Sequence, residues 1–550
     1  DYRVLTCGNT DTIITGKLPK KSDFEIMTSK SITLKDLIEV ESIIDKNDFG
    51  SETSSKSTKL IHGGVRYLEQ AFKKLDFGQL KQVRHGLEER HIVLNNAPHL
   101  ARPLPLITPV GSWFEGLYYS IGLMMYDSFA TNDSLPKSKW LSKKEVLARM
   151  PTLNRNTLHS AVLYYDGQLD DARYCLALVQ SASEKGAVVA NYIEVDAFEQ
   201  AENGKLNAVL TTDLKSGEKI RIKTKLVVNC TGPFSDHIRK KANPLLPERI
   251  RPSKGVHVVL PHSILNSDHA MLIPKTSDGR VVFAIPFEGA TMIGTTDTGA
   301  ESLERESMLN EQEKEYLIET LNPFLQERVD VSQLKSGFGG LRPLLSADPS
   351  KSTKSLLRDH EVEIDEKSQL VSLLGGKWTT YRLMAKDTLD QVDGIFGKQN
   401  PCMTDKQILA GGENYNFESW KLLKSKYFLE EAICKHLVNK YGSRALHVCA
   451  LMEADSSLKD RLHAAYPYIK AEVVYAVRNE MAIVPRDFLA RRIRFEITDW
   501  QSTIDCLGTV CDLMGKELDW TLEVRNANES QYLAQLKEFM NEAGVFPRVK

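Results

Sequence analysis

The chain has 550 residues, 42% of them hydrophobic and 26% charged, the composition of a globular protein with a large core and two or three domains. Such a composition excludes a disordered tail or a small disulfide-stapled fold. Lysine and arginine (71) nearly balance aspartate and glutamate (73), so the net charge of -2 gives no bulk attraction to nucleic acid or an anionic membrane, and any anion site must be local.

In chain order, the first informative stretch is IIDKNDFGSETSS (43–55), which reads as a strand ending at an acidic residue, Asp45. SKSTKLIHGGVRYL (55–68) follows, polar and glycine-bearing, with Gly63 and Gly64 permitting close approach of backbone to a flat ligand. The most apolar window, GSWFEGLYYSIGLMMYDSFA (111–130), has about the length of a membrane span, but Glu115 and Asp127 argue against spanning. Two readings remain for it: a helix lying in a membrane interface with Trp113, Phe114, Tyr118 and Tyr119 at headgroup level, or a buried core helix. From 160 to 235 the chain alternates strand, helix (DDARYCLALVQSASEKG), strand, a polar hairpin-like stretch and the strand KLVVNCTG ending at Gly232, which predicts α/β architecture. GVHVVLP (255–261), RVVFAIP (280–286) and TMIGTTD (291–297) are short β-branched runs split by turn residues and predict an antiparallel sheet. SQLVSLLGGKWTTYRLMAKDTLDQV (368–392) predicts a strand, a Gly375-Gly376 turn and a helix opening on Lys377, whose amino end would favour an anion. Beyond about residue 400 the pattern is helical, and RDFLARRIRFEI (486–497) predicts a strongly basic helix face. The eight cysteines are scattered, with no CxxC pair and no cysteine–histidine cluster at zinc spacing, so reduced thiols and no metal site are expected.

Seven dispersed motifs, SSKSTKLIHGGVRYL, YYDGQLDDAR, VVNCTGPFSD, KGVHVVLP, GTTDT, GFGGLRPLL and GGKWTTYR, together resemble the FAD-dependent, membrane-associated glycerol-3-phosphate dehydrogenase family over about residues 43 to 540. The resemblance implies a glutathione-reductase-like FAD-binding domain of the D-amino-acid-oxidase type over 1–395, with an antiparallel-sheet substrate region, and an all-α domain over 400–550. The flavin part would comprise about 1–75, 155–235 and 335–395, and the substrate part about 76–154 and 236–334. It further implies FAD as cofactor and glycerol 3-phosphate as substrate. A ubiquinone acceptor, a membrane surface and the mitochondrial inner membrane follow from it too, and a homodimer is allowed. A cytoplasmic or relict-organelle location is the alternative, oxygen the alternative acceptor, and a non-catalytic scaffold the alternative function.

Hydride transfer from a carbinol carbon needs cations for the phosphate, a base for the hydroxyl proton and a positive group beside the reduced flavin. The resemblance carries substrate binding to Arg66, Tyr67, Arg342 and Arg358, and guanidinium groups suit phosphate because they bond it through paired donors. Read without it, each arginine would be a surface ion pair. Catalytic roles fall to Arg342, to Lys377 beside the flavin N1–C2=O edge, and to His257 as base, with His62 as the other candidate; a lone strand histidine is otherwise a satisfied structural residue. Flavin contacts carry over to Asp45, Thr53, Ser54, Ser57, Lys59, Leu60, His62, Gly63, Val195, Gly232, Gly376, Lys377 and Thr379.

One part of the pattern is missing. Such a fold begins with a strand and a GxGxxG turn that admits the pyrophosphate to a helix amino end. Here FEIMTSKSITLKDLIEVES (24–42) has no glycine, nor does any position between Gly16 and Gly50. Three explanations stand: a wrongly assembled or alternatively spliced amino terminus, a chain that binds FAD weakly, or one that has lost it. In each case little FAD is expected on the purified chain.

Overall fold

The computed structural model describes residues 12–16, 41–64, 77–129, 135–274, 276, 279–299, 302–345 and 360–547. The alternation read over 160–235 becomes strand Ser160–Leu169, helix Asp171–Glu184, strands Val188–Ala190 and Ile193–Gln200, the hairpin Leu206–Asp213 with Lys219–Lys223, and strand Val227–Cys230. Asp170 starts the helix by accepting the backbone N–H of Arg173 (3.3 Å), which satisfies one donor of the open first turn.

One sheet has six strands in the order 360–364, 371–375, 227–230, 12–16, 41–45, 188–190. The pairs 227–230 with 371–375 and 41–45 with 188–190 are parallel. Val227–Cys230 and Val371–Gly375 are buried along their whole length, as apolar runs covered on both faces must be. The carboxyl ends at Asp45, Cys230 and Gly375 share one edge. Thr12–Gly16 fills the central position but runs antiparallel to both neighbours, with Thr12 opposite Asp45 and Cys230 and Gly16 opposite Glu41. A turn directly after Gly16 therefore starts at the edge away from Asp45, whereas a phosphate turn needs a parallel strand ending at the other edge. Residues 17–40 lie outside the described residues.

A second sheet of ten strands carries the expected antiparallel runs. Ile250–Pro261 lies between Ala290–Gly294 and Ser336–Leu345, and Val282–Phe287 pairs with Ala290–Gly294. After the helix Tyr381–Ile395 the chain is helical, through Trp420–Tyr427, Glu431–Tyr441, Ala445–Ala454, Lys470–Glu480, Trp500–Glu517 and Leu522–Glu542. Its apolar faces share one core with the sheet: Ile107, Val258 and Ile293 pack with Phe488, Phe495, Trp500, Met514 and Leu536. That continuity holds the helical part rigidly over the sheet.

Two sequence readings are corrected here. The basic residues of 486–497 do not form a solvent face: Arg491, Arg492 and Arg494 are buried. Arg491 and Arg492 pair with Asp48, and Arg494 pairs with Asp171. A buried guanidinium without an acid would be strongly destabilising; Asp487 supplies one local partner to Arg491 (2.7 Å), but Asp48 and Asp171 come from more than 300 residues away, where no local pattern announces them. Lys377, in turn, does not open an α-helix. It is an extended residue (φ −152°, ψ 155°) before a single 3₁₀ turn, Trp378–Thr380, and the α-helix starts at Tyr381.

Candidate active site

The segment Thr53–Gly64 runs from the edge of the parallel sheet to the second sheet, and side chains of distant elements fasten it at nearly every step. Thr53 Oγ1 donates to the Leu341 carbonyl (2.7 Å), and Trp378 Nε1 donates to the Ser54 carbonyl (2.9 Å). Ser57 donates through its backbone N–H and its hydroxyl to Asp171 (3.0 and 2.7 Å). Leu60 and Ile61 pair with Gln168 and Gly167. The His62 N–H donates to Thr379 Oγ1 (3.3 Å), and the Gly63 N–H to the Tyr126 hydroxyl (2.7 Å). Residues 53–63 thus lie directly against 378–379, through Trp378 on the Ser54 carbonyl and Thr379 on the His62 N–H.

His257 sits in the middle of Ile250–Pro261, buried, its ring stacked on Phe338 at 4.7 Å between centroids. Its Nε2 is 3.0 Å from Thr58 Oγ1, while Nδ1 has no hydrogen-bond partner among the described residues. Burial, then the nearby cations Lys59 and Arg342, hold its pKa well below the usual histidine value. The ring is therefore neutral at pH 7, with a lone pair on one nitrogen, while the same surroundings oppose a lasting positive charge on it. Arg342 lies one strand across, opposite Ser253. Its guanidinium donates to Thr295 Oγ1 (3.0 Å) and to the carbonyls of Thr296 (3.0 Å) and Lys254 (3.3 Å), with Asp297 at 3.8 Å. Two glycines make room for this pair. A Cβ at Gly294 would overlap the His257 imidazole, and one at Gly255 the Arg342 guanidinium.

The remaining expected contacts divide by position. Asp45 ends its strand buried and accepts the Asn47 N–H (3.0 Å). Burial raises its carboxyl to about 8. Val195, buried on the neighbouring three-stranded sheet, packs in one cluster with Ile44, and Gly232 takes a left-handed turn (φ +54°) just after Cys230. Asp45 and Cys230, two residues before Gly232, both stand opposite Thr12 at the same edge of the sheet. Gly376 (φ +93°) and half-buried Lys377 stand beside Thr379. Lys59 is fully buried, and burial pulls its ammonium down to about 7 against the opposing pull of Asp171 (2.6 Å). Arg66, Tyr67 and Arg358 lie outside the described residues.

Sequence reasoning missed Thr58, Phe338, Trp378 and Asp171 as individuals. All four lie inside motifs quoted for the resemblance, so a residue-by-residue reading of SSKSTK, GFGGLRP, GGKWTT and LDDAR for buried polar and aromatic groups would have raised them.

The residues present fit FAD. An acid at the end of a parallel strand suits ribose hydroxyls, and an extended run closed by glycines and faced by a lysine suits an isoalloxazine ring. A mixed sheet beside an antiparallel sheet agrees with the family model that matches residues 42–362, the FAD dependent oxidoreductases. A second match, the C-terminal domain of alpha-glycerophosphate oxidase, covers 402–525. The chain is 38% identical over 520 residues to the mitochondrial glycerol-3-phosphate dehydrogenase SDP6 of Arabidopsis thaliana, covering 90% of this chain and 81% of that protein. It is 37% identical over 499 residues to the mitochondrial glycerol-3-phosphate dehydrogenase of Mesocricetus auratus, covering 88% and 68%. The solved glycerol-3-phosphate dehydrogenase of Bacillus halodurans, complexed with FAD, superposes with a TM-score of 0.72 at 28% identity over 90% of this chain and 89% of that one. The chain belongs to the FAD-dependent glycerol-3-phosphate dehydrogenase family.

Proposed function

We propose that this chain oxidises sn-glycerol 3-phosphate to dihydroxyacetone phosphate and passes the electrons to a quinone at a mitochondrial membrane. FAD, when bound, supplies the hydride acceptor. Neutral His257 accepts the proton of the substrate hydroxyl at Nε2 or Nδ1, and Thr58 Oγ1 orients the ring from one side. Arg342, with Arg66 and Arg358, binds the phosphate. Lys377 stands where positive charge favours a reduced flavin. Phe338 closes the site against water above the histidine. The neutral, buried histidine one strand from Arg342 is the observation that supports this chemistry.

The quinone and the membrane rest on a different observation. Helix Trp113–Phe129 turns Trp113, Phe114, Leu117, Tyr118, Ile121 and Met124 outward, with Phe114 78% exposed. Gly116, Ser120, Leu123 and Tyr126 face inward. Among the described residues no helix is long and apolar enough to cross a membrane. Six outward apolar side chains on one face, joined through Tyr126 to the Gly63 N–H, support an interfacial helix set against the flavin-facing segment.

The test is glycerol-3-phosphate-dependent reduction of a dye by the FAD-loaded chain, with glycerol as the control, followed by exchange of the dye for a soluble quinone. His257→Gln should lose on the order of 10²-fold or more in kcat. Activity with glycerol equal to that with its phosphate would defeat the substrate assignment, and stoichiometric peroxide with no quinone reduction would make the enzyme an oxidase.

A further inference from the structure

Two buried residues of this chain hold left-handed backbone conformations and reach the same two acceptors from opposite sides. Lys59 has φ +62° and Arg494 has φ +69°. Residues other than glycine, asparagine and aspartate rarely adopt that region, so the surroundings must over-determine both. Lys59 Nζ donates to the Ser55 carbonyl (2.7 Å) and to Asp171 Oδ2 (2.6 Å). Arg494 Nη2 donates to the same Ser55 carbonyl (2.7 Å) and to Asp171 Oδ1 (2.8 Å). Ser57 adds two further bonds to Asp171 Oδ2, and the Ala172 N–H donates to Oδ1 (2.9 Å). The flavin-facing segment is therefore tied to Asp171 directly at Ser57 and Lys59, and at the Ser55 carbonyl through the two cations, one of which the helical part of the chain supplies.

The local backbone explains how. Asp487–Arg492 is π-helical, and its wider turn lets adjacent Arg491 and Arg492 both reach Asp48, at the start of the same loop. The left-handed step at Arg494 then sends its side chain back to Asp171, while its Nη1 closes on the Ala490 carbonyl (3.1 Å). From Lys59 the contact continues: its Nζ lies 4.9 Å over the Phe338 ring, which stacks on His257.

We propose that Arg494 is a positioning residue for the flavin site, acting from the helical C-terminal part through Asp171 and the Ser55 carbonyl to fix Thr53–Leu60 in its binding shape. The helical part thereby completes the cofactor site without touching the cofactor. The inference rests on reading Thr53–Gly63 as the flavin wall, and one arm of its test is independent of that reading.

The test compares full-length parent, Arg494→Met and Arg494→Lys by hydrogen exchange of the FAD-free chains and by FAD titration through flavin fluorescence. Arg494→Met removes a charge-assisted pair and should weaken FAD binding about tenfold or more while raising exchange in residues 53–60. Helices 500–517 and 522–542 should stay as protected as in the parent. Arg494→Lys keeps the charge and should recover most of the affinity. Parent-like exchange in 53–60 for Arg494→Met overturns the proposal, as does a rise spread equally over the C-terminal helices. If Arg494→Met does not fold, Arg494→Lys decides: a small rise confined to 53–60 supports the proposal, and none overturns it. Raised exchange in 53–60 with unchanged FAD affinity would instead remove the segment from the flavin site.

Discussion

Arg342 faces a competition among acceptors. Its donors go to Thr295 Oγ1 and to the Thr296 and Lys254 carbonyls, with Asp297 beside it, and these hold it in place one strand from His257. A lysine would keep the charge and lose the planar fork, so Arg342→Lys should raise the apparent KM for glycerol 3-phosphate about tenfold or more, at about 1.5 to 3 kcal/mol per lost charge-assisted bond. Unchanged steady-state kinetics would remove Arg342 from the substrate site. Asp45 allows a test that needs no substrate. Its carboxyl is raised from 3.8 to about 8, so the folded chain holds a proton there that the unfolded chain gives up. The resulting stability is complete below about pH 4 and is lost as pH rises to about 8. Asp45→Asn cannot titrate, so its melting temperature relative to the FAD-free parent should climb over that range; parallel curves would show that the carboxyl is not buried in this way.

Elements place these residues through close approach as much as through hydrogen bonds. His257 and Arg342 share neighbouring strands whose partners carry glycine where any Cβ would collide. Gly294→Ala should therefore push the imidazole from its stack on Phe338 and lower kcat/KM on the order of 10²-fold, since a misplacement of about 1 Å is enough for that loss. An active Gly294→Ala enzyme with parent kinetics would mean that the ring relaxes without consequence. Helix Trp113–Phe129 has a separate outcome at this scale. Phe114→Glu with Ile121→Glu puts two charges on its outward face and should cut partition onto phospholipid vesicles at least about tenfold, at roughly 1.5 to 3 kcal/mol per buried side chain. Dye reduction in solution should be unchanged. Equal flotation of parent and variant would show that this face does not meet lipid.

At the scale of the molecule, two halves of a cofactor site are unequal. The end built from Thr53–Gly63 and Gly376–Thr379 is held by Leu341, Asp171, the strand at Gly167–Gln168 and Tyr126, while the central strand Thr12–Gly16 runs against the direction a phosphate turn requires. The chain as written should consequently purify with little FAD, measured by its absorbance near 450 nm. Replacing residues 24–42 with a strand, a GGGATG-type turn and a full-length helix should restore a yellow protein. Stoichiometric FAD on the unaltered chain would make the glycine turn dispensable here; a grafted chain that stays colourless would place the defect elsewhere.

The sequence by itself determined the α/β alternation over 160–235, the antiparallel runs around His257, the helical region after 400 and the dispersed motifs that meet at the site, because periodicity and turn residues are local properties of the chain. It also singled out Asp45 at a strand end, and His257, Arg342 and the 54–64 segment within those motifs, as candidates for the site. Only the tertiary structure decided which face of Trp113–Phe129 is outward, since an all-round apolar helix does not reveal what packs on it; Trp140 fills the side that Gly116 leaves open. Only the tertiary structure turned the basic run 486–497 inward, because the local acids Asp487 and Glu496 meet only part of its charge and the carboxylates of Asp48 and Asp171 that join them are more than 300 residues distant along the chain. The partnership of Thr58 with His257, and of Lys59 with Arg494 on one carbonyl, belongs to the same class: a charge or a ring finds its partner in space, and spacing along the sequence carries no record of it.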